Sequence, residues 1–139
     1  YLSCLPLTEG TNKTLTYTSR VSCAYMPLDS PKMMEALLNL IVNALDAVSD
    51  NGSVQIILTK SNEQFVVSII DDGCGIAPKQ LLTIFNPFTT TKPDGTGLGL
   101  PVAKRIIEGH GGHIRVSSAP NQGATFTFLL PCSFSSDKK

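Results

Sequence analysis

Between Met34 and Val48 apolar residues return every three or four positions, the spacing of a helix with one buried side. Asp29-Ser30-Pro31 supplies capping residues and a first-turn proline, and Asn51-Gly52 supplies a turn, so the pattern predicts a helix from there to about Ser49. At about 100° per residue, Met34, Leu37, Leu38, Ile41, Ala44, Leu45 and Val48 share an arc of about 120°. Glu35, Asn39, Asn43, Asp46 and Asp50 fall on a separate arc of about 80°. Elsewhere the pattern shortens to strand length. Leu15–Met26 reads as two short strands or one hairpin, and Ser53–Lys60 with Phe65–Ile70 reads as an antiparallel hairpin. Ile114–Ser118 and Ala124–Leu130 read as a second hairpin through Pro120-Asn121-Gln122-Gly123. Pro78–Ile84 predicts a short helix. Residues 100–108 predict another, closed by Gly109 as the left-handed residue past its end, with Val102, Ala103, Ile106 and Ile107 inward and Lys104, Arg105 and Glu108 outward. Helices gathered on one side of a sheet is the economical packing for that order. The expected fold is therefore an α/β two-layer sandwich: a mixed, mostly antiparallel sheet of about five strands under about three helices.

The polar arc of the first helix is unusual in its residue types. A solvated stripe favours Glu, Lys, Gln and Arg, whereas asparagine competes for its own backbone inside a helix. Asn39 and Asn43 stand one turn apart with no Lys or Arg on the stripe. An amide oxygen there is a hard donor suited to Mg²⁺, which keeps waters and also binds phosphates.

Two glycine-bearing stretches carry the other chemistry. Asp71-Asp72-Gly73-Cys74-Gly75-Ile76 follows a strand. A D-G pair is a turn signal, but a carboxylate at a strand end is also acceptor-only, which suits the exocyclic amino group of adenine and opposes the carbonyl of guanine. In Asp94–Gly112, Gly95, Gly97 and Gly99 alternate with Thr96 and Leu98 directly before a helix. Alternating glycines let backbone approach a ligand, and the helix start behind them offers free N–H groups, as a phosphate cradle requires. The spacing is neither G-x-G-x-x-G nor a P-loop. Phe85-Asn86-Pro87-Phe88-Thr89-Thr90-Thr91-Lys92-Pro93 reads as a hinged loop anchored by its aromatics. His110 and His113 lack an acid partner or nucleophile and read as structural.

Composition narrows the partners. Over 139 residues Lys and Arg balance Asp and Glu at 11 each, so bulk charge argues against nucleic acid and membrane surfaces. Four cysteines without C-x-x-C, and no apolar run of membrane-spanning length, fit a reduced, cytoplasmic domain. A start at Tyr1 without a signal pattern is expected of a domain cut from a longer chain, with 1–13 a boundary remnant, 14–132 the domain and 133–139 a loose tail.

Taken together, Asn39–Ala47 (NLIVNALDA), Asp71–Ile76 (DDGCGI), Phe85–Phe88 (FNPF) and Gly95–Leu100 (GTGLGL), in this order, closely resemble the N box, first glycine box, F box and second glycine box of the histidine-kinase catalytic and ATP-binding domain of the GHKL superfamily. The ending Gly109-His110-Gly111-Gly112 before a hairpin closing on Leu130-Pro131 is similar too, and the Phe88–Lys92 stretch resembles kinases of the nitrogen-regulation type. The resemblance covers about residues 28–131 and implies ATP and Mg²⁺ as ligands. It implies Asn43 as the Mg²⁺ ligand, Asn39 beside the phosphates, and Asp46 and Ala47 on the same nucleotide-facing side. Asp71 would meet the adenine amino group, with Gly73, Gly75 and Ile76 shaping the pocket. Phe85 and Phe88 would anchor an ATP lid from which Thr90, Thr91 and Lys92 approach the phosphates. Gly95, Thr96, Gly97, Leu98, Gly99 and Leu100 would cradle them. Asn39, Asn43 and Lys92 form the implied catalytic set. Ala124 departs from the resemblance, since relatives often place Ser or Thr there; Thr125 is the adjacent hydroxyl in the implied site, although strand alternation turns it to the other face.

The implied activity is transfer of the γ-phosphoryl of Mg-ATP to a histidine on a separate dimerisation and phosphoacceptor domain, which in turn serves a response regulator. The alternatives are a GHKL ATPase or a nucleotide-binding module without transfer. GHKL hydrolases resemblingly carry a glutamate base one turn before the magnesium asparagine; Asn39 stands there and cannot take a proton, and Glu35 is a further turn away. No H-E or H-D phosphoacceptor segment precedes the first strand, so the chain is expected to bind ATP without phosphorylating itself, and to be largely monomeric.

Overall fold

The computed structural model describes residues 12–21, 30–61, 63–86 and 99–131. Its sheet has five strands in the order β1-β2-β3-β5-β4. These are β1 (Thr14–Ser19), β2 (Ser53–Ser61), β3 (Gln64–Asp71), β4 (His113–Ser118) and β5 (Ala124–Pro131). Strict alternation along β5 buries Ala124, Phe126, Phe128 and Leu130 and leaves Thr125, Thr127 and Leu129 on the other face. Register carries the same face across the sheet: Phe126 stands opposite Ile69, Ile69 opposite Ile56, and Asp71 opposite Ala124. Pairing is antiparallel except between β1 and β2, which run parallel with α1 (Ser30–Ala47) between them in sequence. The expected mixed, mostly antiparallel sheet is the one found. Of the Leu15–Met26 stretch, one strand is seen, ending at Ser19; residues 22–29, including Asp29, lie outside the described residues.

Three helices are described: α1, the single turn α2 (Pro78–Leu81) and α3 (Gly99–Gly109). Helix α1 packs against β2, β3 and α3. That double contact widens its buried side beyond the expected arc. Leu40 and Ala36 are fully buried together with Ile41 and Ala44, whereas Met34 is 43% exposed. On the helical wheel Leu40 and Ala36 lie about 40° and 80° short of Ala44, toward the asparagine stripe. A sheet-only helix would leave that flank in water; the neighbouring α3 covers it.

Helix α2 stops at Leu81, three residues short of the expected end, and turns through Ile84 and Phe85 back onto the core. Phe85 meets the fully buried Phe126 edge-on, with ring centroids 6.3 Å apart and planes at 87°. In α3 the buried residues are Ala103, Ile106 and Ile107, and Lys104 pairs with Glu108 at 2.9 Å on the outer side. The expected cap at Gly109 is corrected. Gly109 is the last helical residue, and Gly111, at φ +82°, is the left-handed one. Its N–H bonds to Glu108 O at 3.0 Å and that of Gly112 to Ile107 O at 3.0 Å, the paired bonds of a Schellman ending. His110 occupies the cap itself, its Nδ1 2.9 Å from Ile106 O, so the structural reading of this histidine holds.

Candidate functional site

The asparagine flank of α1 faces the start of α3. A Cβ added to Gly99 would lie 3.8 Å from both Cγ and Oδ1 of Asn39, an ordinary contact distance, so the helix start stands directly beside that amide. Asn39, Asn43 and Ala47 are half-buried and succeed one another at one-turn intervals; Asp46 is exposed beside them. The α1 flank thus presents two amides in a line ending at Ala47 O.

At that end the loop after β3 lands on the helix. Cys74 N–H bonds to Ala47 O at 3.2 Å, and a Cβ on Gly73 would sit 2.3 Å from the same oxygen. No residue but glycine permits this approach. Asp71, the last residue of β3, is buried at 5% exposure and its Oδ1 accepts the Gly73 N–H at 2.9 Å. Desolvation by burial pushes its carboxyl above the ordinary Asp value of 3.8, helped by the neighbouring charge of Asp72; hydrogen bonds from the Gly73 and Ala124 backbone work the other way. The two adjacent acids do different work. Asp72 points out and fastens the start of β2, accepting Ser53 N–H at 3.0 Å and Ser53 Oγ–H at 3.2 Å. Asp71 is the group left facing inward.

The glycine loop is held mostly by main chain. Asn121 N–H bonds to Cys74 O at 2.7 Å and Gly123 N–H to Gly73 O at 3.1 Å, tying it to the β4–β5 turn. Gly75 has φ +76°, and a Cβ there would fall 1.9 Å from Ala119 O. Ile76, half-buried against the core, gives its N–H to Ser118 Oγ at 2.8 Å.

The described site residues come together as two groups that meet at Ala47. Asn39, Asn43 and Ala47 join Gly99, with Leu100 packed on the core behind it; Asp71, Gly73, Gly75 and Ile76 form the other wall, and Phe85 packs edge-on against Phe126. Asp46 stays exposed at the rim. Thr125 is not brought in. It lies on the sheet face turned away from α1, opposite Ile70 and Ser117, while Asp71 and Ala124 share the face that α1 covers. Phe88, Thr90, Thr91, Lys92, Gly95, Thr96, Gly97 and Leu98 lie outside the described residues. Sequence reasoning missed Ser118, Asn121 and Gly123, which hold the loop from the far hairpin; the P-N-Q-G run signals only a turn.

A buried acceptor, a glycine wall and a pair of amides beside a helix start have the chemistry to take a nucleotide. Residues 28–133 match the family described as histidine kinase-, DNA gyrase B- and HSP90-like ATPase. The chain belongs to this family. The sensor histidine kinase ZraS of Salmonella typhimurium is 42% identical over 118 residues, covering 84% of this chain and 25% of its own length. The chain therefore spans about a quarter of that relative. Among solved structures, the nucleotide-free catalytic domain of histidine kinase ThkA superposes with a TM-score of 0.82 at 31% identity, covering 92% of this chain and 84% of that one. ThkA in complex with the response regulator protein TrrA gives 0.77 at 27% identity, covering 91% of this chain and 36% of that one. Full-length ShkA in complex with AMPPNP gives 0.81 at 28% identity, covering 91% of this chain and 27% of that one. Within the family this is the ATP-binding catalytic domain of the sensor-histidine-kinase kind.

Proposed function

We propose that the domain binds Mg-ATP with adenine at Asp71 and the phosphates running along α1 toward Asn39, and offers the γ-phosphoryl to a histidine on another domain of a longer kinase. The observation that carries the reading is the buried Asp71 carboxylate, tied through Gly73 to the Ala47 end of the flank that bears Asn43 and Asn39. From Ala47 to Asn39 the helix rises about 12 Å, matching the reach from a purine ring to the outer phosphates of an extended nucleotide. An ionised Asp71 accepts from an adenine amino group and repels the carbonyl of guanine, so the base is chosen at this end.

The α1 flank fits a magnesium ion: Asn43 supplies a neutral, hard amide oxygen on a half-buried surface. Asn43 would hold the ion and Asn39 would hydrogen-bond the phosphates; when bound, Mg²⁺ supplies charge neutralisation to them. Asn39 has no basic lone pair with which to activate water, so the arrangement supports transfer to an imported nucleophile over hydrolysis. Catalysis is then positioning: the wall fixes the base, the amides fix the phosphates, and the acceptor imidazole arrives from outside. The complex of ThkA with TrrA supports a response regulator as the eventual recipient.

Calorimetric titration with AMPPNP and Mg²⁺, beside GTP and an Asp71→Asn variant, tests the reading. Adenine-selective binding that the variant loses is expected. A folded domain that binds no nucleotide refutes it.

A further inference from the structure

One hydroxyl outside the assigned site closes a circuit within it. The Asp71 carboxylate accepts from Gly73 N–H, Gly73 O accepts from Gly123 N–H, Gly123 O accepts from Ser118 Oγ–H at 2.6 Å, and Ser118 Oγ accepts from Ile76 N–H at 2.8 Å. Main-chain groups supply everything between Asp71 and Ile76 except Ser118. Half-buried at the end of β4, this side chain donates to one strand of the stitching and accepts from the other. Gly123 is the centre of the arrangement: at φ +69° it crosses Asp71 so closely that a Cβ would lie 2.1 Å from Asp71 O.

We infer that Ser118 is a positioning residue for nucleotide binding, setting Ile76 and the glycine wall against the Asp71 carboxylate so that the adenine slot keeps its width. The inference rests on the ATP-binding reading and adds to it a determinant of base selectivity on the far hairpin. Neighbouring hydrogen bonds in such a chain polarise one another, so losing the hydroxyl weakens more than its own two bonds. Ser117, one residue earlier, is exposed on the other face and serves as the control.

The test is calorimetric titration of the 139-residue chain with Mg²⁺ and AMPPNP, GTP or inorganic triphosphate, each variant first shown folded by circular dichroism. Ser118→Ala is expected to raise the AMPPNP dissociation constant about tenfold, the equivalent of one to two net hydrogen bonds. It should narrow the preference for AMPPNP over GTP while leaving triphosphate binding unchanged. Ser118→Thr, which keeps the hydroxyl, should restore affinity and preference, and Ser117→Ala should match wild type. A purely structural serine would lower stability and leave the affinities of the folded protein alone; a folded Ser118→Ala with wild-type affinity and preference overturns the inference. If that variant does not fold, Ser118→Cys decides, since a thiol keeps the volume but is a weak donor and acceptor. Wild-type protein that binds no AMPPNP would instead remove the underlying reading.

Discussion

Two glycines, two positions apart at the end of α3, should respond to alanine with opposite signs. Gly109 is helical and exposed, and an added Cβ would meet nothing within 4 Å. Alanine there restricts the unfolded chain and favours the helix, worth about 0.4–1 kcal/mol of added stability. Gly111 has room as well, its nearest contact being Pro131 Cγ at an ordinary 3.6 Å, but its φ is +82°. A side chain in the left-handed region costs about 1–2 kcal/mol. The unfolded-state gain offsets part of this, leaving a net loss of about 1 kcal/mol. Since sterics are absent at both positions, the contrast isolates backbone conformation. For a chain of this size Gly109→Ala should raise the melting temperature by about 1–4 °C and Gly111→Ala lower it by about 3–4 °C in thermal melts followed by circular dichroism. Urea midpoints should move likewise with an unchanged slope. If Gly111→Ala stabilises as Gly109→Ala does, the Schellman ending is misplaced and the assignment of the cap fails.

Further outcomes follow from the site. Because burial raises the Asp71 pKa, adenosine affinity should fall on acidification at a pH above the ordinary Asp value of 3.8; an unshifted profile would show the carboxyl to be solvated. The same shift lets the protonated group favour the folded state below that value, a contribution lost as pH rises through the raised pKa; the acid limb of wild-type stability should reveal it against Asp71→Asn. Gly75→Ala meets both a φ of +76° and Ala119 O, and should cost more stability than Gly111→Ala in the same melts. Incubated with γ-labelled ATP and Mg²⁺, the chain should acquire no acid-labile label, since neither His110, bonded at the α3 cap, nor His113 stands in a phosphoacceptor context; stable phosphohistidine would contradict this.

The fold was legible wherever one period governed an element. Alternation in ATFTFLL placed β5 with its buried face, and the helix spacing placed α1 and α3. What periodicity could not convey was a second neighbour. Leu40 and Ala36 are buried by α3 as well as the sheet, and a single-arc reading assigns one side only. The cap moved from Gly109 to Gly111 because G-H-G-G offers three glycines, and only tertiary geometry selects the one that turns left-handed. At the site, only the family resemblance singled out Asp71 over Asp72, and the structure buries the first while the second is exposed and bonded to Ser53. Ser118 gave no signal, since a serine at a strand end is commonplace and its partners are backbone atoms of a distant loop.

The wall beside Asp71 is fastened through main-chain atoms and the single hydroxyl of Ser118, and this has a consequence for inhibitors. Side chains at Cys74 and Gln122, both exposed, can drift without moving the wall, whereas Gly73, Gly75 and Gly123 are fixed by close backbone approach. A compound resting only on that wall would meet nearly the same surface in any relative that keeps the glycines, and would discriminate poorly among them. Selectivity would have to come from what the wall leaves free to vary, and here that is the exposed thiol of Cys74 at its edge.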